Sequence, residues 1–432
     1  MRKFLNRIPG YSVIEGIFLT ATFRQSGITF IGTFINGILG AAFYILSARF
    51  LGPALFGLLS VSLVTLALVA DIGDFGTNTG LVRFVSKFAN EDLEKANRFL
   101  KLGFKVKLAV SVLVIISGFF LAPYIADKIF SKHELVTPLR ISFVGVSTTW
   151  FFSFITVTLQ SFQKFWKWSG IQIMTNFLRL SAVVILLLLG KLGLHSSLLS
   201  YIIMPFIGFL MGLTLIPKGF IKAKNEFALT REFFQYNKWV ALFIVISSVG
   251  SRLDTFLSAR LLTAAEVGLY SAATQLTQVV PQIIGAIGTV ISPKIAGMRD
   301  IKTLLTYYKK TQLFVIGLSL LGLLAIPIAT LIIPILYGKE YLGTISIFIV
   351  LLCAMLIFLI SVPIHNVVLY YFSYPKLFSW MSGWHLIVIF VLGWIFIERF
   401  GVIGGAIAVL VAQTFDFIIP AIWVYRKVNN KQ

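Results

Sequence analysis

From about residue 25 to residue 425 the chain is a succession of apolar runs, many close to the roughly 20 residues that cross a bilayer. A soluble fold cannot cover them. Only 12% of the residues are charged and 58% are apolar, against about 25% and about 45–50% in soluble domains. The runs divide into twelve predicted spans, at roughly 25–48, 55–86, 108–126, 139–162, 168–190, 195–217, 238–261, 267–292, 312–336, 343–371, 376–398 and 401–425. The expected class is an all-α polytopic membrane protein with twelve transmembrane helices.

The net charge of +21 suggests nucleic acid only until the charges are placed. They lie in short clusters between the apolar runs rather than on one basic face. With the N-terminus inside, 27 of the 37 Lys and Arg fall on the cytoplasmic side, 8 fall outside, and Arg179 and Arg252 fall within spans. Basic residues mark the cytoplasmic side. The expected topology is therefore a multi-pass protein of the cell membrane with both termini cytoplasmic and no nucleic-acid partner. The opening MRKFLNRIPGYSVIEG has no apolar core directly after its basic residues and no small-residue cleavage site. It reads as a retained cytoplasmic segment, not a signal peptide. The single cysteine, Cys353, excludes an internal disulfide, and the four histidines show no metal-ligand spacing, so no metal and no cofactor are expected.

One stretch occurs twice. Leu46–Ser60 and Leu257–Ser271 share nine of fifteen residues at an ungapped offset of 211, including the pairs Arg49/Arg260 and Gly57/Gly268. The copies begin at the ends of spans 1 and 7. An even number of spans separates them, so both point the same way through the membrane, as in a parallel repeat about the membrane normal. This predicts two six-helix lobes, 1–230 and 231–432, joined by the basic segment 218–238. Substrate is expected at the interface between the repeats. Repetition of Arg49, Gly57, Arg260 and Gly268 points to a packing or gating role.

The segment LSARFLGPALFGLLS, then Asp71-Ile72-Gly73 and Leu81-Val82-Arg83-Phe84, resembles the N-terminal signature of polysaccharide-export flippases. These form the Wzx-like branch of the multidrug/oligosaccharidyl-lipid/polysaccharide exporter superfamily. Arg252-Leu253-Asp254 with Val267-Gly268-Leu269-Tyr270-Ser271-Ala272-Ala273 is similar to the matching C-lobe signature. Sharp matches cover about 80 residues, and Ala54 stands where members often carry an acid. The resemblance implies flipping or export of a polyprenyl-linked glycan through a central cavity open to one side at a time. The implied partners are that lipid-linked glycan, membrane lipids, and a glycan polymerase or glycosyltransferases, with the transporter itself a monomer.

Charges inside the membrane are costly and mark sites or pairs. Arg179 lies twelve residues from both Lys167 and Lys191, about 18 Å from either end of span 5, too deep to snorkel. It is either an anion site for substrate phosphates, which a guanidinium holds bidentately, or half of a structural ion pair. Arg252, eight residues from Arg260, is read as cavity-lining. Asp254, at i+2 from Arg252, cannot pair with it and is read as a partner for an arginine elsewhere, Arg179 being a candidate. Asp71, Asp74 and Asn78 fall at i, i+3 and i+7 on span 2. That stripe is either a proton or sodium site, or a set of acids satisfied by water and basic groups where Gly73, Gly76 and Gly80 loosen the helix. Asp416 in span 12 could couple or pair. Arg24 and Arg83 suit a cytoplasmic cavity mouth or snorkelling to headgroups.

Deep arginines favour an anionic cargo. The deep acids keep a second reading open, a cation-coupled multidrug exporter of the same superfamily. A membrane enzyme acting on polyprenyl-linked sugar generally needs a sizeable external loop, and the longest here, about 127–138, is small. No catalytic residues and no enzyme activity are expected.

Overall fold

The structure, a computed structural model, describes residues 21–224 and 227–429. Among these there is no strand, as lipid demands of chains that satisfy their own backbone. Ten helices are long and apolar enough to cross a membrane, and Leu229–Gly250 with Leu253–Leu261 forms one further span bent by 44°. The first of the ten, Gly27–Gly73, has 47 residues. That is about 70 Å at 1.5 Å per residue, more than twice a hydrocarbon core of about 30 Å. It is interrupted at Gly52, whose φ of 73° and ψ of 169° leave the helical region. Pro53 then starts the next helix, where a missing N–H is no loss. The helix therefore holds spans 1 and 2, and the count among the described residues is twelve. Phe120, Leu188 and Trp380 are 75%, 80% and 81% exposed, apolar surface that suits lipid and not water.

Two boundaries differ from expectation. Span 2 is not one helix over 55–86: it ends at Gly73 and restarts at Thr77, with Phe75 at φ 48° and Gly76 at φ 73° between. Span 3 begins at Leu93 rather than near 108, so Lys95 to Lys107 ride on its first turns instead of forming a loop.

The chain gathers into two compact units. One takes residues up to Phe43, Val69–Phe120 and Arg140–Val245; the other takes Tyr44–Leu68, Leu121–Leu139 and the chain from Ile246. The first is cored by aromatic rings. Phe84 stacks on Phe99 at 4.7 Å between centroids, and Phe233 tilts against both. The second is cored in part by Ile291, Ile295, Leu304, Ile364, Val368 and Val424. Some hydroxyls in the spans return to their own helix, as Thr158 does to Phe154 and Thr175 to Ile171, and these do not burden the apolar interior.

Both copies of the repeat lie in the second unit, and they meet. A Cβ built on Gly57 would collide with the carbonyl of Ala264, and one on Gly268 with the carbonyl of Pro53. Ala264 is Pro53 plus 211 and Gly268 is Gly57 plus 211, so each copy gives the other the contact it receives. Such reciprocity defines a two-fold relation. Both helices start at this contact, as equivalent copies of one repeat would. Glycine is needed here because two backbones touch.

Candidate functional site

Arg179 projects from Phe165–Leu188 within the first unit. Its guanidinium lies over the Tyr201 ring at 4.0 Å and near Phe43 at 5.9 Å. The ring faces hold the cation without neutralising it. Its Nε is buried and meets no acceptor among the described residues, and no carboxylate there lies within ion-pair distance. One turn earlier, Asn176 donates to Asn36 across 2.9 Å. The result is a deep cation with a free donor edge, mounted on an aromatic shelf.

Asp254, the candidate partner of Arg179, and Asp416 are both engaged elsewhere. Asp254 accepts from the Tyr270 hydroxyl at 2.6 Å, so the expected Asp254–Arg179 pairing is replaced by a phenol from the neighbouring span. Asp416 Oδ2 lies 2.6 Å from His385 Nδ1, and its backbone carbonyl lies 2.9 Å from His365 Nε2. Arg252 sits at the bend of span 7, between its two helices, and donates to the Ser248 carbonyl at 3.1 Å. It marks a break, where the sequence suggested a continuous helix.

The stripe on span 2 is also corrected. The break at residues 74–76 takes Asp71 and Asp74 off one continuous helix. Asp74 becomes a cap: it accepts from Thr77 Oγ1 at 2.7 Å and from the Asn78 N–H at 3.0 Å. Its remaining capacity goes to Lys107 Nζ at 2.6 Å, which also reaches Ser153 Oγ at 3.2 Å. Asp71 is half-buried and has a partner of its own. Sequence reasoning missed Lys107 by counting it with the cytoplasmic cluster. A signal was available in the register: Lys105 at i−2 faces another side of a helix.

Arg83 is exposed, with its guanidinium 4.1 Å from the Tyr236 ring centroid. The side chain of Arg24 lies outside the described residues.

At the repeat contact, the two arginines swap halves. Arg49 donates to the Ile335 carbonyl at the end of span 9. Arg260 donates to the Lys128 carbonyl at 3.1 Å and to Ser131 Oγ, at the end of span 3. Spans 3 and 9 are repeat equivalents. The preceding carbonyls match as well: Ala48 accepts from the Tyr341 hydroxyl at 2.8 Å, and Ala259, its counterpart, from Lys132 Nζ at 2.5 Å. Lys132 also reaches the Leu262 carbonyl at 2.6 Å. Burial lowers the Lys132 pKa from the ordinary 10.5 and raises that of Tyr341. Among the described residues no group of three His, Cys, Asp or Glu is arranged to hold a metal.

Residues 23–299 match the family described as polysaccharide biosynthesis protein. An uncharacterized membrane protein of Methanocaldococcus jannaschii is 24% identical over 403 residues, 89% of this chain and 93% of its own length. Among solved structures, the lipid II flippase MurJ in an inward closed conformation superposes with a TM-score of 0.73 at 18% identity, over 92% of this chain and 87% of that one. An inward-facing multidrug resistance transporter of the MATE family, MOP superfamily, gives 0.73 at 14% identity over 91% and 95%. A MOP-superfamily transporter of Pyrococcus furiosus, whose binding pocket is described as reversed in polarity, gives 0.61 at 13% identity over 94% and 95%. At such identities the likeness is one of fold.

Proposed function

Given that this chain belongs to the polysaccharide biosynthesis protein family and shares the fold of MOP-superfamily transporters, we propose that it is a membrane transporter whose cargo is a polyprenyl-phosphate-linked oligosaccharide. The repeat unit of an O-antigen, capsule or exopolysaccharide fits, moved across the cell membrane by alternating access. The supporting observation is Arg179, a deep cation held by π-faces, with no acid within ion-pair distance among the described residues and with its buried Nε donor unspent. A phosphate leaving water needs fixed positive charge and hydrogen bonds in exchange. The charge asymmetry of the loops supports a cytoplasmic location for both termini. No chemistry on the cargo is needed, and no catalytic role is assigned. The transporter acts as a monomer beside the glycosyltransferases or polymerase that make and use the glycan.

A drug exporter for cations would need an uncommitted acid. Asp74, Asp254 and Asp416 each have a partner at 2.6 Å, and Asp71 is engaged too, which weakens that second reading.

The test is surface glycan in cells that lack their own transporter, read alongside the amount of protein in the membrane. Arg179→Ala should remove most glycan at normal protein level. Arg179→Lys keeps charge but loses the planar fork and should retain part. Normal glycan from Arg179→Ala would refute the assignment.

A further inference from the structure

Deep in the second unit lies a pair that the anion site does not use. Asp416 is 14 residues after Val402 and 13 before Asn429, about 20 Å from either helix end. His385 Nδ1 lies 2.6 Å from its Oδ2, and the two side chains are 19% and 17% exposed, so neither is sealed from its surroundings. With Asp416 ionised its carboxylate only accepts, and Nδ1 then carries the hydrogen. His365 Nε2 lies 2.9 Å from the Asp416 backbone carbonyl, which also only accepts. That bond fixes the His365 hydrogen on Nε2 and steadies the Asp416 backbone. His365 closes the helix Thr344–Asn366, which passes directly into the π turn Val367–Tyr371, a distortion frequent at functional sites.

With His385 neutral the pair carries one negative charge in the apolar interior. A proton on His385 Nε2 leaves the Nδ1–H···Oδ2 bond in place and brings the pair to zero. Proton uptake therefore cancels the pair's net charge without rearranging the contact. We infer that His385 and Asp416 form a one-proton binding site in the second unit. The proton comes from water on one side of the membrane and returns to water on the other.

The charged groups on neighbouring helices are committed elsewhere. Asp254 holds Tyr270, Arg252 turns to Ser248, Arg260 reaches Lys128 and Ser131, and Glu266 caps its own helix at Thr263. On span 11 itself, Glu398 takes the Trp394 N–H. On span 10, His365 faces Asp416 through its carbonyl. Tyr371 of the π turn packs edge-on against Phe372. Gln413, one turn before Asp416 on the same face, has a buried Oε1 with no partner, an acceptor within the same stretch of helix for a newly formed N–H. The use of this proton to drive transport rests on the transporter reading above; its binding does not.

The probe is the proton itself. The full chain is placed in lipid nanodiscs with isotope-labelled histidine, and the His385 signal is identified by its loss in His385→Gln. On acidification across about pH 8 to 5, the range of histidine switching, His385 should pass from neutral to imidazolium. Asp416→Asn should weaken its proton affinity at least about tenfold, because the adjacent anion is gone, and Asp416→Glu should restore most of it. A His385 fixed in one state across the range overturns the site, as does a titration indifferent to Asp416→Asn. In cells, collapsing the proton gradient should lower surface glycan. Glycan unaffected by the collapse overturns the coupling. A titrating His385 in a protein that moves no glycan would leave the proton site standing and refute the cargo instead.

Discussion

Lys107 and Asp74 meet at 2.6 Å with side chains only 2% and 6% exposed, one from span 3 and the other from the break in span 2. Removing one member of a sealed pair leaves an unpaired buried charge and costs about 3–5 kcal/mol. Lys107→Met should lower the thermal midpoint of the purified protein sharply. Asp74→Asn added to it should recover part of the loss, since the unpaired charge is gone and the asparagine carbonyl still accepts from one of the two donors, Thr77 Oγ1 or the Asn78 N–H. An unchanged midpoint for Lys107→Met would show that the pair does not hold the break together.

The contact of Gly57 with Gly268 makes a second prediction. The atoms a new methyl would strike are backbone carbonyls, which cannot rotate away as a side chain can. Gly57→Ala and Gly268→Ala should each destabilise by about 1–3 kcal/mol or more, and by similar amounts, because the two-fold makes the sites equivalent. Once either has pried the helices apart, the other has less to lose. The double variant should therefore cost less than the sum. Full additivity in thermal unfolding would mean the two glycines are not at one contact.

Both features bear on what a sequence can tell. The twelve spans follow from hydropathy, a local property, and the equivalence of Gly57 and Gly268, though not their contact, follows from the repeat offset. Gly73 and Gly76 announced a weak point in span 2. Nothing announced that Asp74 would cap the next helix, or that a lysine 33 positions later would reach it. Lys107 sits among basic residues less buried than it is, of which Lys105 is exposed, and only the packing of span 3 separates it from them. The partners Tyr270 for Asp254 and His385 for Asp416 come from other helices, and their choice depends on rotations that helical periodicity does not fix. Arg179 was legible because depth alone singles it out; its shelf of Tyr201 and Phe43 was not.

Topology can be checked directly. With Cys353 replaced, single cysteines at Lys222 and Lys302 should resist a membrane-impermeant thiol reagent in intact cells, whereas cysteines at His133 and Lys339 should react. The basis is the 27 to 8 distribution of basic residues. His133 is the better external reporter than Lys132, since its side chain is 83% exposed and Lys132 is turned in. Labelling at 222 from outside would break the parallel-repeat topology.

The swapped arginines and Lys132 predict how the end of the spans nearest the repeat contact opens. Each arginine ties one half to carbonyls of the other, so Arg49→Ala and Arg260→Ala should each speed labelling of a cysteine at Leu262 several-fold. Lys132 adds a pH dependence. Burial lowers its pKa below 10.5 while it is packed, and opening to water lets the ordinary value return. Between the lowered value and 10.5 the open form binds more protons, so rising pH favours the packed form and falling pH favours opening. Thiol reactivity itself climbs with pH, so the comparison is with Lys132→Met in the same background. The variant's labelling rate should rise more steeply with pH than that of the protein with Lys132, where closure opposes the trend. Equal slopes would show that the Lys132 ammonium is not lost from water on packing.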